Sequence, residues 1–197
     1  DHGLDPSKPI IALLPGSRQK EIVRILPVML LARGLIGKKV PETQFVVVAA
    51  TEKHAKHVAK GLREADADLL IVYGETYDAL NASDAAAVTS GTATLETGII
   101  GTPMVIVYKT SAVNYRLLEP LIDVEHYGLI NLIAGKRVAT ELIQGHLTAR
   151  SLSEELLRLL EPNANLAMRG ELKAAAEKLG HGGASKRAAE AILRLVS

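Results

Sequence analysis

The chain of 197 residues has no cysteine. That excludes disulfides, thiolate metal sites and cysteine nucleophiles, and it fits a reducing compartment. Tryptophan is missing too, phenylalanine occurs once, and aromatics make up 3% of the chain. The core must therefore come from the aliphatic members of a hydrophobic fraction of 48%. Such a composition suits a buried parallel sheet covered by helices. Neither sign of charge dominates: the net charge is +1, so nothing electrostatic points to nucleic acid. No apolar run approaches the roughly 18 residues of a membrane-spanning helix, and contact at a membrane surface stays open. The polar opening from Asp1 to Pro9 lacks the form of a signal peptide,. It starts on Asp1 rather than Met, so a piece of a longer chain or a processed one is expected. Neither G-x-x-x-x-G-K-[ST] nor G-x-G-x-x-G occurs, which leaves phosphoryl transfer from ATP and dehydrogenase chemistry poorly supported,.

What is present is a regular alternation. Residues 9–14 form a short continuous apolar run, the pattern of a strand buried on both faces,. Apolar residues then recur at helical spacing over 19–36, with Pro27 predicting a kink or a break,. Further strands are expected over 44–50, 69–73, 85–89 and 103–108, and helices over 51–65, 76–81 and 92–100. Short apolar strands alternating with helices predict an α/β fold, a Rossmann-like parallel sheet flanked by helices. Residues 114–122 read as helical, and 124–144 as mixed with one strand-like stretch. From Ser151, paired with Glu154 as a capping box, three helical pieces over 151–160, 164–179 and 185–196 run to the end,. The expected division is a Rossmann-like domain at 1–150, whose ligand is taken up below, and C-terminal helices at 151–197. The last helix carries an apolar stripe of Ala188, Ala191, Ile192 and Leu195, which must pack on its own sheet or on another copy.

In an open parallel sheet, ligands bind outside the carboxyl ends of the strands. Two loops there carry candidate chemistry. The first is Pro15-Gly16-Ser17-Arg18. Gly16 permits a tight turn, Ser17 is a candidate helix N-cap with Glu21 near the capping-box position, and the Arg18 guanidinium suits phosphate oxygens. A Pro-Gly turn with a solvated arginine reads equally from the same residues. The second is Ser90-Gly91-Thr92-Ala93-Thr94-Leu95-Glu96. Small residues at a helix start expose backbone N–H groups, which suits a diphosphate. Glu96, one turn further, can accept hydrogen bonds from a ribose diol. The alternative is an ordinary N-capped helix with an exposed glutamate. His54 and His57 share a helix face but sit among Lys53, Lys56 and Lys60, so a solvated surface is expected and no metal site. His126 reads as structural, with a ligand contact as the alternative. Asn131 is a lone amide in an apolar stretch, which needs backbone or ligand partners,.

Taken in order, several stretches resemble one known family. They are Ala12-Leu13-Leu14-Pro15-Gly16-Ser17-Arg18, Ser83-Asp84-Ala85-Ala86, Ser90 through Glu96, Thr102-Pro103-Met104-Val105, Tyr108, Asn131-Leu132-Ile133-Ala134-Gly135 and Glu141-Leu142-Ile143-Gln144. The family is lipid-A-disaccharide synthase, and the resemblance is to its C-terminal half. It implies one half of a GT-B fold and an inverting glycosyltransferase. That enzyme joins UDP-2,3-diacylglucosamine to 2,3-diacylglucosamine 1-phosphate, releases UDP, and requires neither metal nor other cofactor. Donor contacts are implied at Gly16, Ser17, Arg18, Ser90, Gly91, Thr92, Glu96, Asn131, Glu141 and Gln144, with Arg18 as stabiliser of the departing UDP. The resemblance also implies a cytoplasmic enzyme with peripheral contact at the inner face of the inner membrane. Its expected partners are an N-terminal acceptor domain and a second copy bound through the C-terminal helices. The chain departs from the pattern at Ile130, where the family has proline. The family's N-terminal domain, with its general base, does not occur in these residues, so the 197 residues alone are expected to be inactive. The alternatives are the donor domain of another UDP-N-acetylglucosamine enzyme of the same fold, or a non-catalytic nucleotide-sugar-binding module.

Overall fold

The computed structural model describes residues 2–62, 66, 69–111, 115, 125–180 and 183–196. Apart from Tyr115, the helix expected over 114–122 lies outside the described residues. The chain runs β1 (Ile10–Leu14), α1 (Gln19–Lys39), β2 (Gln44–Ala49), α2 (Glu52–Gly61), β3 (Leu70–Tyr73), α3 (Thr76–Asn81), β4 (Ala85–Thr89), α4 (Thr92–Ile100) and β5 (Met104–Tyr108). It continues with α5 (Leu129–Ala134), β6 (Thr140–Ile143), a 3-10 turn (Gln144–His146), α6 (Ala149–Leu160), α7 (Pro162–Glu177) and α8 (Ala184–Val196).

The six strands form one parallel sheet in the order β3-β2-β1-β4-β5-β6. The order reverses between β1 and β4, whose registers pair Ile11 with Ala85 and Leu14 with Val88. Right-handed crossovers on either side of that reversal put α1 and α2 on one face and α4 on the other. Every residue of β1 and β4 is buried, as strands covered on both faces require. The aliphatic core expected from composition runs from Ile11 and Val47 through Ala85–Ala87 to Ile106. On the first face α6 packs along α1 and sets Leu152, Leu156 and Leu159 into the core. On the second, α4, α5 and α7 pack on one another.

Several local expectations change. Helix α1 runs for 21 residues with Pro27 inside it, so the expected break does not occur there. The proline leaves the Val23 carbonyl without an intrahelical partner, but Pro27 and Val23 lie on the exposed side, where water can serve that carbonyl. The N-cap of α1 is Arg18 rather than Ser17. The capping box of α6 is Thr148 with Ser151, not Ser151 with Glu154: Thr148 Oγ1 accepts from the Ser151 N–H at 3.0 Å, and Ser151 Oγ accepts from the Thr148 N–H at 3.1 Å. Helix α7 begins at Pro162, two residues early, because a proline at the first helical position has no N–H to leave unpaired,. In the C-terminal helix α8, residues 185–195 are exposed, with Ile192, Leu193 and Leu195 all open to solvent.

Candidate functional site

A cleft of about 430 Å³ opens at the reversal point, above the carboxyl ends of β1 and β4. Two lips form it. Gly16, Ser17, Arg18 and Glu21 line one side, and Ser90, Gly91, Thr92, Ala93 and Glu96 line the other. The Thr89 hydroxyl donates to the Leu14 carbonyl at 2.8 Å, so the last residue of β4 pins the mouths of the two strands together. Thr89 is buried. A lone threonine closing an alanine-rich strand carries no motif, and it is missed from sequence.

The first lip is built within seven residues. Gly16 has φ +117, a region L side chains rarely adopt. A Cβ there would also meet Glu21 Oε2 at 2.7 Å and Glu21 Cβ at 2.9 Å. The Glu21 carboxylate, in the first turn of α1, accepts from the backbone N–H groups of Ser17 and Arg18, both at 3.2 Å. It satisfies two donors that the helix start leaves open. Arg18 Nη1 donates to Glu21 Oε1 at 3.3 Å, yet the arginine side chain remains 81% exposed. Its guanidinium therefore stands at the cleft with most of its donors free for an anion.

The second lip begins where β4 hands over to α4. Gly91 is the N-cap and offers no capping side chain, so the first N–H groups of α4 are left for whatever occupies the cleft, and the helix dipole adds positive potential there. Glu96 lies one turn along from Thr92 on the face that lines the cleft and is partly exposed. The opposite side of this element is bonded elsewhere. Ser90 Oγ donates to the Tyr127 carbonyl at 2.7 Å, and Thr94 Oγ1 accepts from the Leu129 N–H at 3.2 Å.

Of the residues expected from sequence, the structure brings Gly16, Ser17, Arg18, Ser90, Gly91, Thr92 and Glu96 to one cleft. Asn131, Glu141 and Gln144 fall outside its lining. Asn131 is fully buried. Its Oδ1 accepts from Val138 and Ala139, and its Nδ2 donates to the Ala139 carbonyl and to Glu141 Oε1. Glu141 also accepts from the N–H groups of Tyr127 and Gly128, the latter at 2.8 Å. Gln144, the first residue after β6, has φ +51; its Oε1 accepts from the Thr110 N–H at 3.3 Å, while Nε2 is buried with no partner among the described residues. His126 is 6% exposed, and both of its ring nitrogens are buried with no hydrogen-bond partner among the described residues. Ile130, where the family pattern has proline, sits fully buried in the first turn of α5.

Comparison with known proteins adds three findings. Residues 1–196 match a family described as Lipid-A-disaccharide synthetase. A protein of Syntrophus aciditrophicus named Lipid-A-disaccharide synthase is 42% identical over 196 residues, which are 98% of this chain and 51% of that protein. The chain thus spans about half the length of the curated relatives it matches. Among solved structures, the calicheamicin glycosyltransferase CalG4 superposes with a TM-score of 0.58 at 18% identity, covering 97% of this chain and 44% of CalG4. The pneumococcal O-GlcNAc transferase GtfA, solved with UDP and GlcNAc, gives 0.57 at 13% identity over 85% of this chain and 32% of its own. At such identities the two structures speak to the fold, a sheet layer of the GT-B kind.

Proposed function

The chain belongs to the lipid-A-disaccharide synthetase family, and from that premise we propose that it is the donor-binding half of an inverting glycosyltransferase that transfers 2,3-diacylglucosamine from UDP to 2,3-diacylglucosamine 1-phosphate. The observation that carries this reading is the single cleft in which Arg18, the open start of α4 and Glu96 converge. The diphosphate of the donor lies against the N–H groups at the start of α4, where dipole and donors both favour anions. The Arg18 guanidinium faces the same phosphates from the opposite lip. Negative charge grows on UDP as the glycosidic bond breaks, so a fixed cation there stabilises the transition state more than the ground state. The Glu96 carboxylate accepts from the ribose hydroxyls. UDP is the ligand class this reading gives the cleft.

The general base and the acceptor site belong, on this reading, to the other half of the length that the relatives have. The 197 residues bind donor and product without turnover. The exposed stripe of α8 is given to that other half or to a second copy. On the same reading, the assembled enzyme sits peripherally at the inner face of the inner membrane.

Titration of the chain with UDP, and separately with ADP, by calorimetry tests the reading. UDP is expected to bind and ADP to bind more weakly. Removing a charged hydrogen-bonding partner costs about 1.5–3 kcal/mol, so Glu96→Ala and Arg18→Ala should each weaken UDP binding by roughly tenfold or more. Binding that is equal for the two nucleotides and indifferent to both substitutions would count against the site.

A further inference from the structure

We infer that Glu141 is a positioning residue: through the loop at Tyr127–Leu129 it sets the place and orientation of the α4 start that forms one lip of the cleft. The inference rests on the nucleotide-sugar reading for its ligand, but its geometry does not.

Helix α4 has two working faces. Thr92, Ala93 and Glu96 line the cleft. Ser90, Thr94 and Gly98, one turn apart, meet Tyr127, Leu129 and Ile130 in the same order. The Ser90 hydroxyl donates to the Tyr127 carbonyl at 2.7 Å, and Thr94 Oγ1 accepts from the Leu129 N–H at 3.2 Å. A Cβ on Gly98 would come within 2.5 Å of Ile130 Cδ1, so the two segments are in close contact there. One short stretch of chain therefore braces α4 along its whole first half.

That stretch is held in turn from β6. The Glu141 carboxylate gathers N–H donors from Tyr127, Gly128 and the Asn131 side chain. A carboxylate can accept all of these and donates nothing, whereas an amide at the same place would turn an NH₂ group toward backbone donors. Asn131 extends the clamp to the Val138 and Ala139 N–H groups. Gly128 completes it: a Cβ there would collide with Ile106 Cδ1, so glycine lets the loop lie down on β5 beside Glu141 without displacing that side chain. Because Asn131 is fully buried with its amide wholly engaged, its influence on a ligand runs through this loop; Glu141, half-buried and outside the cleft lining, acts through the Tyr127 and Gly128 N–H groups it holds.

The test compares Glu141→Gln with the unaltered chain in two readouts. In the ligand-free protein, the backbone ¹H–¹⁵N signals of Ser90, Gly91, Thr92 and Ala93 should shift or broaden, while those of Gly16, Ser17 and Arg18 stay in place. With UDP, the dissociation constant should rise about tenfold. Glu141→Asp, which keeps the acceptors, should recover part of both effects, and a purely structural lesion would not show that recovery. Should Glu141→Gln fail to fold, Ser90→Ala severs one of the two hydrogen bonds between the loop and α4, leaving Leu129 on Thr94, and must move the Thr92–Ala93 signals by itself. Undisturbed α4 signals in Glu141→Gln, or in Ser90→Ala where that variant serves, overturn the inference whether or not UDP binds. Absence of UDP binding to the unaltered chain overturns only the nucleotide-sugar reading.

Discussion

The two lips of the cleft do similar work by different means. The β1–α1 lip is self-contained: Gly16, Ser17, Arg18 and Glu21 support one another within six residues. The β4–α4 lip depends on partners 35 to 37 residues away for its direct bonds, and behind these on Glu141. The first lip presents a long, 81% exposed arginine on a short fixed stem. The second presents backbone N–H groups, which can be aimed only by fixing the whole helix start. A side chain tolerates small errors in its base by changing rotamer, while a backbone donor moves only with its segment. That difference explains why the second lip carries the larger brace.

The largest expected effect falls on the local lip. Gly16→Ala forces a Cβ into the positive-φ region and against the Cβ of Glu21. Backbone strain of that kind costs about 1–3 kcal/mol, and displacing Glu21 from two N–H groups adds about 1 kcal/mol. A urea-melt loss of about 3 kcal/mol is expected, with spectral changes confined to residues 15–22. Changes that reach Tyr127 or Glu141 would break the comparison, because the lip would then not be self-contained.

Gly128→Ala is the counterpart on the other lip. Its Cβ would press on the fully buried Ile106, an overpacking that typically costs about 1–3 kcal/mol. A loss of about 2 kcal/mol is expected, somewhat below that of Gly16→Ala because Ile106 Cδ1 is a side-chain end that can shift. The signature is spread: signals over 90–94 and 138–141 should change together, and those of 16–21 should not. A strictly local response at 127–129 would show that the loop does not transmit to α4.

The same contrast decides what could be read from the sequence. The first lip was legible because its parts lie in one heptapeptide: a glycine after an apolar run, an arginine, and a glutamate at helical spacing. Only the cap was misplaced by one residue, from Ser17 to Arg18. The parallel sheet and, to within one residue, the limits of its first five strands were legible too, since each βαβ unit announces itself by its period,; the strand order and the limits of the sixth strand were not. The second lip was legible only on its cleft face, where Gly91 and Glu96 share one motif. Its bracing face could not be read, because Ser90, Thr94, Tyr127 and Glu141 form no local pattern. Their association depends on which strands the topology sets side by side. Asn131 was singled out as a lone amide that needs partners and Glu141 by resemblance, and the hydrogen bonds that occupy them required the fold. The α6 cap shifted from Ser151 to Thr148 for a simpler reason: both positions carry a capping hydroxyl, and the sequence does not say which begins the helix.

The smallest expected effect sharpens the comparison through pH. Glu155 of α6 accepts from Thr140 Oγ1 at 2.6 Å, and Thr140 opens the strand that carries Glu141. Burial raises the pKa of Glu155, but hydrogen bonds from Arg158 and Thr140, with the Arg158 charge, outweigh it and hold the pKa below the ordinary 4.5. A carboxylate with a depressed folded-state pKa contributes stability that is fully present above 4.5 and disappears as pH falls through the lower folded value,. Glu155→Gln should therefore be slightly less stable than the unaltered chain at pH 7, with the gap closing as the pH is taken below 4.5. The Gln amide can still accept from Thr140 but no longer pairs with the Arg158 charge, so the change is small and β6 stays in place. Urea melts at neutral and acid pH measure the gap, and ¹H–¹⁵N spectra show where acid acts. The β6 and Tyr127–Gly128 signals should respond to acid through Glu155 in the unaltered chain and lose that component in Glu155→Gln. A gap independent of pH would mean that the ion pair with Arg158 contributes nothing, and that β6 is anchored by the neutral Thr140 hydrogen bond and its pairing with β5 alone.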